Sequence, residues 1–105
     1  MPDFAGAAAL PQWKLGLGTV QFGQAYGISN HSGQVPREEV RAILAEARRA
    51  DVRLLDTAAN YGQAEEVLAS LDTSCARIVT KTIALGHGLD CVIARARQSA
   101  SLLNA

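Results

Sequence analysis

The sequence has 105 residues, room for one small domain. Hydrophobic residues make up 49% and charged residues 19%, a balance that is globular rather than disordered. Ten basic and ten acidic side chains cancel, so there is no electrostatic footprint for nucleic acid or an anionic membrane.

Residues 1–12 read as a loose leader, and residues 13–105 as the folded domain. Met1-Pro2-Asp3-Phe4 lacks the basic opening of a secretion signal, and no apolar run is long enough to span a bilayer. The sequon Asn30-His31-Ser32 is then a chance match. Cys75 and Cys91 form no CxxC pair and read as reduced thiols, which makes the cytoplasm the default location.

The first strand is expected near 14–20, where Leu15, Leu17 and Val20 alternate with glycines. A polar loop follows from Gln24 to Val35. Pro36-Arg37-Glu38-Glu39 opens a helix near 37–50: proline suits the first turn, and the glutamates complement the positive end of the helix dipole. Val40, Ile43, Leu44 and Ala47 form its apolar stripe. A second strand is expected near 53–57, where adjacent Leu54 and Leu55 suit a strand covered on both faces. After the turn at Asn60-Tyr61-Gly62, Ala64, Val67, Leu68 and Leu71 predict a helix near 64–71, with Glu65 and Glu66 in its first turn. A third strand near 77–81 and a helix near 90–103, carried by Leu89, Val92, Ile93, Ala96 and Leu103, complete the pattern. Arg48, Arg49, Arg53, Arg95 and Arg97, interleaved with Glu46 and Asp51, read as solvated helix faces.

Strand–helix alternation of this kind implies an α/β fold with parallel strands and right-handed crossovers. Periodicity leaves an open doubly wound sheet and a closed eight-stranded barrel both available. The pair Gly16-Leu17-Gly18 invites a dinucleotide-binding turn, but the third glycine would fall on Gln21 and the next helix starts too late.

Three residues stand out chemically. Asp56 and Lys81 lie at the C-terminal ends of the second and third strands, and Tyr61 lies in the turn after Asp56. That edge is where parallel α/β folds bind ligands. Singly, an Asp there often caps a turn, a Lys often reaches solvent, and a Tyr before Gly is often structural. Together they can form a proton-donating unit: a phenol is a weak acid near neutral pH, an ammonium beside it favours the phenolate, and a carboxylate keeps the ammonium charged and in place.

The segment LDTAANYG at Leu55 to Gly62 resembles the aldo-keto reductase signature around a catalytic aspartate and tyrosine. GLGTVQFGQAYGI resembles the family's first-strand segment, and AEEVLASL its helix after the tyrosine, with Ala69 where a glycine is usual. RIVTK resembles the third strand, which ends on the catalytic lysine. The resemblance implies three N-terminal βα units of a TIM (β/α)8 barrel and reduction of an aldehyde or ketone by NADPH. It further implies Tyr61 as proton donor, tuned by Lys81 and Asp56. Gly18, Thr19, Val20 and Asp56 match positions near the nicotinamide. Trp13 and Phe22 could pack near the site, though aromatic residues here are more often core.

The family's fourth catalytic group is a histidine ending the fourth strand. The sequence reaches only Ser101-Leu102-Leu103-Asn104-Ala105, which reads as the end of the third expected helix. His87 follows Lys81 too closely for that role, and His31 lies in a polar loop. A full barrel typically needs about 250 residues, so the expectation is a barrel cut before its fourth strand, with little or no activity alone. The alternative is a nonenzymatic remnant that binds a partner through an exposed strand edge.

Overall fold

The computed structural model describes residues 14–104, so the expected leader and Trp13 lie outside the described residues. Strands β1 (Gly16–Gly18), β2 (Leu54–Asp56) and β3 (Arg77–Val79) form one parallel sheet in the order β1-β2-β3. Leu17 pairs with Leu55 and Leu55 with Ile78, while Gly18, Asp56 and Val79 form the row at the C-terminal end. Each strand is shorter than its apolar segment, but pairing continues past the ends. Thr57 N–H donates to Val79 O at 2.8 Å, and Ala59 N–H to Lys81 O at 2.8 Å.

The helices are α1 (Val20–Gly23), α2 (Arg37–Arg49), α3 (Ala64–Ala69) and α4 (Leu89–Leu102). A 3-10 turn at Leu85–His87 precedes α4. Helix α1 falls within what reads as strand end and loop, because four residues are too few to display a helical period. Helix α2 begins after Pro36, whose carbonyl accepts from Val40 N–H at 3.0 Å. Glu38 and Glu39 sit in its first turn and Arg48 and Arg49 in its last, both favourable to the helix dipole. Where a glycine commonly ends a helix, Asp51 takes the left-handed conformation at φ 61°.

Successive strand residues face opposite sides of a sheet. Leu17, Leu55 and Ile78 face the helices and join a core of Phe22, Val40, Ala64, Val67 and Leu68. Phe22 is thus a core residue, 4% exposed. The other sheet face carries Gly16, Gly18, Leu54, Asp56, Arg77 and Val79, and Val79 is 48% exposed. Of the adjacent leucines, Leu55 is buried and Leu54 is half-buried among the described residues. Among the described residues, β1 and β3 each have one unpaired edge. Thr57 is fully buried, and its Oγ1 has no hydrogen-bond partner among them.

Candidate active site

Asp56 ends β2, Tyr61 lies in the loop between β2 and α3, and Lys81 stands two residues beyond β3. The parallel register brings all three to the same end of the sheet. Lys81 Nζ donates to Asp56 Oδ1 at 2.6 Å, and the same nitrogen lies 5.3 Å from the centre of the Tyr61 ring. The Asp56 and Lys81 side chains are about half exposed, so a small molecule can approach them. The hydrogen bond to the Asp56 carboxylate holds the Lys81 ammonium above the ordinary lysine range. The charge of Asp56 and the Tyr61 phenol add to it, against a weaker opposing effect of burial.

Backbone contacts fix these positions. Thr19 is fully buried; its N–H and Oγ1 both donate to Asp56 O at 3.0 Å. Its hydroxyl thus supports the strand that carries the carboxylate. Gly18 pairs with Asp56 in register, and a Cβ placed on it would meet nothing within 4 Å. Val20 is half-buried at the start of α1. The Tyr61 loop crosses α1 at two glycines. A Cβ on Gly23 would lie 1.7 Å from Tyr61 O, and one on Gly62 would lie 2.3 Å from Gly23 O. Gly62 also has φ +57°. Gln63 N–H donates to Gly23 O at 3.1 Å and closes the crossing.

Behind the cluster, on the helix side, lies a second acidic centre that sequence reading left among the first-turn glutamates. The Glu65 side chain is 3% exposed. Its Oε2 accepts from Thr80 Oγ1 at 2.6 Å, and its Oε1 from Arg95 Nη2 at 2.8 Å and Ser99 Oγ at 2.9 Å. Burial pushes the Glu65 carboxyl up, but hydrogen bonds from Thr80, Ser99 and Arg95, with the charge of Arg95, outweigh it and hold it below the ordinary range. Arg95 is therefore no solvated face residue: its side chain is 23% exposed and pairs with a buried carboxylate. Glu65 borders the stripe of Ala64, Val67 and Leu68, but nothing in that spacing points to Arg95, 30 residues away. Arg48, Arg49, Arg53 and Arg97 are exposed as the charge pattern suggested.

His31 and His87 are exposed, in the loop before α2 and in the 3-10 turn after β3. Cys75 and Cys91 are free thiols. Among the described residues no group of three or more His, Cys, Asp or Glu side chains could hold a metal ion, and no helix is long and apolar enough to cross a membrane. A cavity of about 400 Å³, lined by Leu44, Arg48, Leu55, Asp72, Cys75 and Ala76 among others, lies at the opposite end of the strands and contains no member of the cluster.

Consecutive parallel βα units with an acid, a phenol and an amine at the C-terminal sheet edge define one section of a β/α-barrel protein. The comparisons give the family. The model of the aldo/keto reductase family matches residues 14–102, and the chain belongs to that family. Two solved structures from Pseudomonas aeruginosa, both provisionally assigned as aldo-keto reductases, are similar to it. One is 31% identical over 86% of this chain with a TM-score of 0.69, and the other 28% identical over 86% with a TM-score of 0.66. The chain spans 38% and 36% of their lengths. No curated protein matches it.

Proposed function

We propose that these residues form the proton-donating part of a cytoplasmic, NADPH-dependent carbonyl reductase acting on an aldehyde or ketone. The observation that carries this reading is the convergence of Asp56, Lys81 and Tyr61, with the lysine nitrogen 2.6 Å from the carboxylate and 5.3 Å from the phenol ring centre. The open ground above Gly18, next to Asp56 in the sheet, suits the flat nicotinamide, and Val20, half-buried two residues on, is the further cofactor-facing candidate. Thr19 would serve the cofactor indirectly, by holding the Asp56 backbone. When bound, NADPH supplies the hydride that reduces the carbonyl carbon.

The chain's own residues handle the proton. As the carbonyl π electrons move to oxygen, Tyr61 transfers its phenolic proton there and an alcohol results. The Lys81 ammonium stabilises the phenolate left behind, and Asp56 holds the ammonium in reach. Binding the rest of the cofactor and closing the barrel fall to chain beyond these three βα units, so the 105 residues alone turn over little or not at all.

The test follows NADPH absorbance with a reactive aromatic aldehyde. The 105-residue chain is compared with a chimera carrying the C-terminal barrel segment of a Pseudomonas aeruginosa relative. Reduction by the chimera, lost in its Tyr61→Phe variant, supports the reading. A folded chimera whose turnover is indifferent to Tyr61→Phe overturns it. Turnover by the 105-residue chain on the order of 1 per second, abolished by the same substitution, would show that these three βα units suffice for catalysis. A partner-binding role for the strand edges is the second reading; it gives no reason for an acid, an amine and a phenol to converge.

A further inference from the structure

The end of β3 is held from both sides of the sheet. Thr80 and Lys81 are consecutive, so their side chains point to opposite faces. Lys81 reaches Asp56 on the open face, and Thr80 reaches the buried Glu65 on the helix face. Glu65 sits four residues after Tyr61, in the first turn of the helix into which the Tyr61 loop runs. The Thr80–Glu65 hydrogen bond thus ties the segment that carries the phenol to the segment that carries the ammonium. Arg95 and Ser99 of α4 occupy the other carboxylate oxygen and fix the rotamer that makes this possible.

We infer that Glu65 is a positioning residue, which sets the spacing between Tyr61 and Lys81 by clamping α3 to the end of β3 through Thr80. The backbone bond from Ala59 N–H to Lys81 O fixes where the lysine starts. The Thr80 bond fixes the twist of the chain there, and hence the direction the lysine takes. A short hydroxyl-to-carboxylate bond to a carboxylate that is itself buried suits this task, being both strong and directional. Neither Glu65 nor Thr80 touches the reacting atoms. The inference deepens the carbonyl-reductase reading and rests on it for its functional meaning.

The experiment uses the full 105-residue chain and a readout independent of turnover. NMR follows the titration of the Lys81 ammonium, together with the cross-relaxation between the Lys81 ε-methylene and the Tyr61 ring. Thr80→Val removes the hydroxyl and keeps the shape. The expected result is a Lys81 titration moved back toward that of a free lysine and loss of the contact to the ring, with Thr80→Ser restoring both. Arg95→Met, which removes the α4 arm and leaves the Thr80 bond, should lower thermal stability with a smaller effect on Lys81. If Thr80→Val lowers only the melting temperature and leaves both Lys81 signals as they were, Glu65 is a structural carboxylate and the inference fails. These signals do not depend on catalysis, so inactivity of the chimera would overturn the reductase reading while the clamp is judged separately.

Discussion

Two carboxylate–cation pairs flank the same strand end. Asp56 and Lys81 sit on the open face, with side chains 47% and 49% exposed. Glu65 and Arg95 sit on the helix face, at 3% and 23%. The contact distances are alike, 2.6 and 2.8 Å. What separates the pairs is water. The exposed pair contributes little to folding, is weakened by salt, and remains in contact with solvent. The second pair is bound to the fold, because removing Arg95 would leave the buried Glu65 carboxylate poorly solvated. One chemical motif thus serves two ends, and burial decides which.

The sharpest way to break this contrast is through activity. Tyr61→Phe in the chimera should lower turnover by about 100-fold or more, the usual yield of a positioned acid, with no loss of folded protein by circular dichroism. Glu65→Ala should do the reverse. It should destabilise the chain by roughly 3 kcal/mol in urea unfolding, at the lower end of the range for a broken buried pair because Arg95 is partly solvated. Acid sharpens the point. The folded Glu65 carboxyl is held low, so its stabilising contribution is full above the unfolded value near about 4.3 and fades as pH falls through the lower folded value. Glu65→Gln should flatten that acid limb. Lys81 behaves oppositely: its contribution is full below the ordinary lysine range and is lost as pH rises through the raised folded value.

Smaller effects test the scaffold. Gly23→Ala forces a Cβ into the Tyr61 carbonyl and should cost about 1–3 kcal/mol, as overpacking does. It should also displace the Tyr61 ring signals more than those of Lys81. Asp56→Asn should cost under about 1 kcal/mol in the same unfolding assay, as exposed pairs do. Thr57→Val, which replaces a buried hydroxyl without a partner among the described residues by a methyl of similar shape, should be neutral or stabilise by up to about 1 kcal/mol.

The alternation of elements was legible because each helix of more than one turn carries an apolar stripe. The expected spans 37–50, 64–71 and 90–103 meet helices at Arg37–Arg49, Ala64–Ala69 and Leu89–Leu102. The cluster was legible because LDTAANYG and RIVTK place its members at strand ends, where a parallel sheet collects them. Three things were not. Helix α1 is a single turn, without a period to read. The open sheet face depends on which neighbours cover it, so Leu54 and Leu55 look alike in sequence and differ in burial. Glu65 and Arg95 lie 30 residues apart and meet only through packing, so each looked like one more surface charge.

The strands lie side by side in the order in which they are translated. Each new strand can therefore add to the outside of what has already formed, and none must be inserted between two earlier ones. Asp56 and Lys81 are separated by 25 residues. At about 5–20 residues per second, the carboxylate leaves the ribosome roughly one to five seconds before the lysine that will neutralise it. Thr19 is already present through that interval to hold the Asp56 carbonyl, so the nascent chain can present a prepared acidic anchor to its own late-arriving cation.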